Sequence, residues 1–441
     1  MKITVIGTGY VGLVSGTCFA EIGHEVVCVD NNSKKIEDLE NGIIPIFEPG
    51  LDQLIIKNQK INSLSFTTDI KEAVKDASAV FIAVGTPPTE EGGADLTYVY
   101  NVAKELASII DEKTCIVTKS TVPVGTNDEV KKIIEDNNPT LEFYVASNPE
   151  FLREGCAIDD FLNPDRVLVG TNSSKARSIM EKIYRPMSDK NILVLFTDIR
   201  TAELTKYAAN AFLATKISFI NEIADICEKV DASIEHLSRG IGVDHRIGKE
   251  YLKPGPGFGG SCFPKDTKAL LKISKDSEAT SQIISTVIKS NDERKINLSK
   301  KIEGACSNDV KGKTIAILGL AFKANTDDMR DSPALSIIPD LINKGAKIKA
   351  YDPEAIEQAK QHFQNIDIDY FDNLNDTISK ADAVVILTEW EEFKDLDFEN
   401  FKSLIKKPYI LVDFRNLFTR LQMENLGINY YSVGRKALKL Q

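Results

Sequence analysis

The chain has 441 residues, enough for two or three cores, with 42% hydrophobic and 27% charged residues in ordinary globular proportion. A formal net charge of −11 excludes a broad nucleic-acid footprint, although a few local Lys and Arg residues can still hold an anionic ligand. The first residues, MKITVIG, turn directly into a strand and a glycine turn rather than a signal peptide. No apolar run approaches the roughly 20 residues of a membrane helix, so a cytoplasmic protein with no membrane partner is expected.

Short Val- and Ile-rich runs at 2–7, 25–30, 79–85, 114–120 and 142–147, separated by helix-length segments, predict a parallel doubly wound sheet. Runs at 166–171 and 191–196 extend it or form its edge. From about Thr201 to Arg239 there is neither Gly nor Pro, and the first thirty residues of that stretch read as one helix. Its apolar positions spread widely around the wheel, so it needs partners over much of its surface. A polar stretch at 307–313 marks a boundary. Strand runs then resume at 313–320, 347–353, 383–390 and 409–416, a second parallel domain.

The expected fold is therefore α/β: two Rossmann-like doubly wound parallel-sheet domains joined by a long central helix. The expected divisions are 1–198, 199–306 and 307–441: a dinucleotide domain, a helical dimerisation segment carrying a cysteine loop, and a second Rossmann-like domain.

VIGTGYVG follows the first strand and opens a helix. Gly7 permits the tight turn, Gly9 lets backbone approach a pyrophosphate and Gly12 lets the helix pack closely, with Tyr10 and Val11 between them. Asp30 ends the next strand, 18 residues after Gly12, where a carboxylate meets ribose hydroxyls and repels a 2′-phosphate. NAD is thus favoured over NADP, with Lys35 nearby softening that preference. Gly85, Thr86 and Pro87 end a further strand at the edge where such sheets bind ligands, although a plain surface turn would look the same. KSTVPVG, at 119–125, ends another with two hydroxyls. The second domain keeps Gly319 alone of the three glycines, yet its second strand still ends in an acid, Asp352.

The seven cysteines form no CxxC pair and the four histidines have no metal-protease spacing, so no metal site is expected. Most of these thiols read as small core residues. Cys262, in GFGGSCFPKD, differs by context. Glycines bring backbone close to something, and a thiol there either fills space or does covalent chemistry. Beside NAD it has a specific use: a thiolate adds to an aldehyde, and the adduct gives up a second hydride. Lys206 and Asn210 stand four apart on the long helix, so they share a face and can stabilise an oxyanion. A solvated helix face would show the same spacing. Asp266, four residues after Cys262, can pair with Lys206 or orient a water.

Taken in order, GTGYVG, NGIIPIFEPGL, STVPVGT, NPEFLREG, NPDRVLVG, KYAANAFLATKISFINE, RIGKEYLKPGPGFGGSCFPKD and GLAFKANTDDMRDSP span the chain. In them the sequence resembles the UDP-glucose 6-dehydrogenase family, within the wider UDP-glucose/GDP-mannose dehydrogenases. The resemblance implies an NAD-dependent four-electron oxidation of UDP-glucose, with Cys262 as nucleophile. It implies that Lys206 and Asn210 stabilise the oxyanion and position the sugar, and that Asp266 helps with protons. Thr121 and Glu150 would hold a water, with Glu150 as base. Thr121 and Glu154 would border the nicotinamide, and Lys265 and Arg330 would reach the cofactor.

For the substrate the resemblance implies the stretch Glu150, Phe151, Leu152, Arg153 and Glu154, and the loop Tyr251, Leu252, Lys253, Pro254 and Gly255. Gly259, Lys323 and Arg415 would complete that site, and Arg246 would reach across a homodimer interface built on the long helix. Three rival readings stay open: the same chemistry on UDP-N-acetylmannosamine or GDP-mannose, a one-hydride hydroxyacid dehydrogenase, and a non-catalytic NAD-binding module.

Overall fold

The computed structural model describes residues 1–440. They form two compact units. The first comprises Met1–Ala209 with Lys272–Ala279, the second Asn210–Leu271 with the chain from Thr280 on. The chain passes from the first to the second inside the helix Ile199–Val230.

The first unit carries eight strands: β1 (Lys2–Ile6), β2 (Glu25–Val29), β3 (Leu64–Thr67), β4 (Ala79–Ile82), β5 (Cys115–Thr118), β6 (Tyr144–Ser147), β7 (Val167–Gly170) and β8 (Val194–Thr197). Their order is β3-β2-β1-β4-β5-β6-β7-β8. Strand residues alternate between two cores. Ile3, Val5 and Phe81 pack on one face with the helix Tyr10–Glu21, while Ile6, Val80, Ile82 and Ile116 pack on the other. Covering both faces explains why the central strands β1, β4 and β5 are mostly apolar instead of alternating with polar residues. One pairing departs from the parallel expectation: β6 meets β7 antiparallel, at Ser147 opposite Gly170.

The second unit repeats the plan with β9 (Thr314–Leu318), β10 (Lys347–Tyr351), β11 (Ile368–Tyr370), β12 (Ala383–Ile386), β13 (Ile410–Asp413) and β14 (Asn429–Ser432), in the order β11-β10-β9-β12-β13-β14. All its pairings are parallel. Ile315 and Ile317 join a core that includes Ile220, Ala224 and Leu298 from long helices, and Ala316 and Leu318 face the other side.

The long helix starts two residues earlier than its composition suggested. Asp198 accepts the Thr201 amide at 2.9 Å and the Thr201 hydroxyl at 2.6 Å, capping the first turn. Asp231, with φ of 59°, ends it in the left-handed region. Among the described residues no helix is long and apolar enough to cross a membrane.

Candidate active site

In the first unit, the turn after β1 has the geometry a dinucleotide needs. Gly7 adopts φ of 100°, and a Cβ on Gly12 would stand 1.9 Å from the Gly7 carbonyl oxygen. Neither position tolerates a larger residue without moving the turn. A Cβ at Gly9 would meet nothing within 4 Å, so the backbone there is open to an approaching ligand. Tyr10 and Val11 are half-buried at the start of the helix Tyr10–Glu21, whose first amides face the same opening.

Asp30 directly follows β2 and accepts the Thr8 amide at 3.0 Å, the Thr8 hydroxyl at 2.7 Å and the Asn32 amide at 3.1 Å. Lys35 Nζ lies 3.2 Å from the same carboxylate. Burial opposes ionisation of Asp30, and these bonds with the Lys35 charge outweigh it, holding the carboxyl below its usual range. The resulting anion beside an open glycine turn suits ribose hydroxyls, and NAD fits the residues present. Thr86 donates to the Thr121 carbonyl at 3.0 Å, so these two cofactor candidates come together, with Gly85 and Pro87 exposed alongside.

A buried charge cluster lies further along this unit. Lys206 Nζ is 2.9 Å from Glu150 Oε1, and both side chains are nearly inaccessible, at 3% and 5%. Lys206 is therefore not on a solvated helix face. Burial favours a neutral Glu150, but the Lys206 charge and the Leu152 amide, which donates at 2.5 Å, hold its carboxyl below the usual range. Lys119, buried beside them, donates to Asn148 at 3.2 Å. Burial, with the like charge of Lys206 adding to it against Glu150, brings its amine down to about 8. The Phe151 ring lies 5.3 Å from Lys206 Nζ and 3.7 Å from the Arg166 guanidinium. Arg153 forks onto Asp160 at 2.6 and 3.0 Å, and Glu154 is half-buried in the same loop.

In the second unit, Cys262 directly precedes the helix Phe263–Asp276, and its carbonyl accepts the Asp266 amide at 2.8 Å. The half-buried thiol thus sits at the helix start, where free amides and the dipole favour negative charge. Asp266, 1% exposed, takes the Asn210 amide at 2.6 Å and has Lys265 Nζ at 2.9 Å.

The glycine loop before the thiol is clamped by two helices. Asn221 accepts the Gly255 amide at 2.9 Å, and Arg294 donates to the Gly255 carbonyl at 2.7 Å. Asn291 accepts the Phe258 amide at 2.8 Å and donates to the Phe258 carbonyl at 3.0 Å. Gly260, at φ of 79°, gives its amide to the Arg330 carbonyl at 2.7 Å, and a Cβ there would strike the Phe322 ring.

Several substrate candidates meet in this region. A Cβ at Gly255 would lie 3.8 Å from the Arg415 guanidinium, and one at Gly259 would lie 3.1 Å from Phe322 Cβ. Lys323 Nζ is 5.3 Å from the Phe322 ring. Arg415 is itself fixed by Glu389 at 2.9 Å and by the Leu387 carbonyl at 2.6 Å. Tyr251 holds φ of 61° and packs edge-on against Phe263, with Leu252 and Pro254 buried and Lys253 exposed. Arg246 and Arg330 are exposed, forked onto Asp244 and Asp328. Among the described residues no group of three or more His, Cys, Asp or Glu side chains is arranged to hold a metal.

Sequence reasoning missed the residues that hold these loops. Glu203 accepts the Gly125 amide at 2.7 Å and the Asn127 amide at 2.9 Å, fixing the turn after Thr121. Asn221 and Glu48 lie inside quoted motifs but carried no local signal of their contacts, and Arg294 had none.

Comparison with known proteins agrees with this geometry. Residues 1–188 match the NAD binding domain of the UDP-glucose/GDP-mannose dehydrogenase family, residues 200–293 its central domain, and residues 316–420 its UDP binding domain. The chain is 51% identical to a UDP-glucose 6-dehydrogenase of Rhizobium meliloti strain 1021, over 99% of this chain and all of the relative. It is 48% identical to one from Bacillus subtilis strain 168, over 99% and 94%. A UDP-glucose dehydrogenase structure from Pyrobaculum islandicum superposes with a TM-score of 0.89 at 34% identity, covering 99% of this chain and 98% of that one. A UDP-D-ManNAc dehydrogenase from Pyrococcus horikoshii gives 0.86 at 27%, covering 99% of each. Matched from its glycine turn through its thiol loop to its second sheet, the chain belongs to the UDP-glucose/GDP-mannose dehydrogenase family and is an NAD-dependent oxidoreductase.

Proposed function

We propose that this chain oxidises UDP-glucose to UDP-glucuronate, using two NAD per sugar and a covalent intermediate on Cys262. The observation that carries the reading is the thiol at a helix start, with buried Asp266 one turn on and bonded to Asn210. NAD, when bound, takes a hydride at each oxidation. Residues 1–198 serve the cofactor, 199–306 carry the thiol and 307–441 serve the UDP group.

After the first oxidation the C6 carbon is an aldehyde, with no second hydride to give until a nucleophile adds. Cys262 Sγ forms a C–S bond to that carbon, and the carbonyl electron pair moves to oxygen. Lys206 and Asn210 stabilise that oxyanion, a contribution on the order of a few kcal/mol. The adduct's C–H is lost in the second oxidation, leaving a thioester. A water held by Thr121, with Glu150 taking its proton, adds to the thioester carbonyl. The C–S bond breaks and its electron pair returns to sulfur. Asp266 and Lys206 pass the protons. The test is a panel of nucleotide sugars. UDP-glucose should give a kcat/KM about 100-fold or more above UDP-N-acetylmannosamine and GDP-mannose, since the wrong sugar leaves buried polar groups unpaired. A preference for either rival would reassign the substrate.

Two copies pair through the long helix. Phe212, Phe219 and Ile226 recur at seven-residue spacing and, with Val230, remain 65, 51, 54 and 66% exposed. Such an apolar stripe needs cover, and Arg246 then serves the partner's site. Phe212→Glu with Phe219→Glu should give monomers by sedimentation; an unchanged dimer would refute this interface.

A further inference from the structure

Glu48 has no part in the chemistry above, yet two distant stretches of the first unit meet on its carboxylate. It stands just before the helix Leu51–Lys60 and is 6% exposed. Oε2 accepts the Tyr10 hydroxyl and the Gly155 amide, the latter at 2.6 Å, while Oε1 accepts the Ala157 amide at 2.7 Å. The Gly155 amide is also 3.1 Å from the Tyr10 hydroxyl. A buried carboxylate needs such donors, and these come from two functional segments. Tyr10 follows Gly9 directly and moves with the dinucleotide turn. Gly155 and Ala157 close the loop that begins at Glu150. The same loop is also held by Lys206 on Glu150 at 2.9 Å, by the Leu152 amide on Glu150 at 2.5 Å and by the Arg153 amide on Asp160 at 2.8 Å, none of which reaches the dinucleotide turn.

We infer that Glu48 is a positioning residue that couples the dinucleotide turn to the loop 150–155, so that cofactor and nucleotide sugar each favour the other's binding. The inference rests on the proposed function, which assigns that loop to the sugar. A ligand that fixes the turn fixes Tyr10, and through Glu48 it fixes the two amides that shape the loop. Linkage makes the effect reciprocal.

The test titrates NADH by fluorescence with and without saturating UDP-glucuronate, a product pair that does not turn over. Tyr10→Phe keeps both amide bonds to Glu48 and cuts its link to the turn. Glu48→Gln sets an NH2 against an amide N–H. UDP-glucuronate should tighten NADH binding about fivefold or more in the unsubstituted chain, and less than about twofold in both variants. Should Glu48→Gln fail to fold, Tyr10→Phe decides. Full tightening in Tyr10→Phe, or none in the unsubstituted chain, would overturn the coupling alone. A chain that binds NADH but neither binds UDP-glucuronate nor oxidises UDP-glucose would overturn the substrate reading, and the inference with it.

Discussion

Gly7 and Gly319 occupy the same place in their sheets, just past the first strand of each unit. Both have positive φ, 100° and 92°, and each gives its amide to the end of the neighbouring strand, at 2.7 and 2.8 Å. Beyond that the turns diverge. After Gly7 the backbone at Gly9 faces open space, and 15% of the Asp30 side chain stays accessible. After Gly319 the next two residues, Leu320 and Ala321, are buried, at 0 and 1% exposed. Asp352 is wholly buried and accepts five donors: the amides of Leu320, Ala321, Glu354 and Ala355 and the Trp390 indole. An acid at the end of the second strand is thus no guide to ribose binding by itself. Its donors decide: Asp30 keeps capacity for a ligand, whereas Asp352 is consumed by its own fold.

Substituting the two acids should separate these roles. Asp352→Ala strips five buried donors of their acceptor and should cost about 4 kcal/mol of stability by thermal or denaturant melting, with NAD affinity unchanged. Weakened NAD binding without destabilisation would show that the second turn still serves a ligand. A smaller effect is expected for Asp30→Ala. NAD affinity should fall about tenfold, or roughly 1.4 kcal/mol, with discrimination against NADP relaxed and melting lowered by less than in Asp352→Ala. Unaltered NAD affinity would remove Asp30 from the cofactor site.

The same contrast explains how much was legible in the sequence. Strands buried on both faces are mostly apolar, so β1, β4, β9 and β12 announce themselves. β3 and β11 do not: they are short edge strands of mixed polarity, LSFT and IDY. β14, NYYS, is fully buried but ends in Asn and Ser, and Asn429 is satisfied by the Pro408 carbonyl and the Leu440 amide, contacts no local pattern reveals. The antiparallel junction of β6 and β7 depends on the path between strands rather than their composition.

At the site, residues with local chemistry were legible: the glycine turn with Asp30, the glycine-framed Cys262, and Lys206 with Asn210 one turn apart. Their burial was not, because it depends on what packs against the helix. Nor were Glu48, Glu203, Asn221, Asn291 and Arg294, whose partners lie tens of residues away. The role of the second domain's Asp352 stayed open in the sequence for the same reason: its five donors become visible only once the chain is folded.

The central claim is that Cys262 holds the half-oxidised carbon until a second hydride leaves. It is tested most directly by counting NADH per sugar consumed, in the unsubstituted chain and in Cys262→Ala. The account predicts two NADH and one UDP-glucuronate from the unsubstituted chain, and no acid from the variant, whose NAD affinity should be nearly unchanged. One NADH per sugar with free aldehyde, or full uronate production by Cys262→Ala, would contradict it.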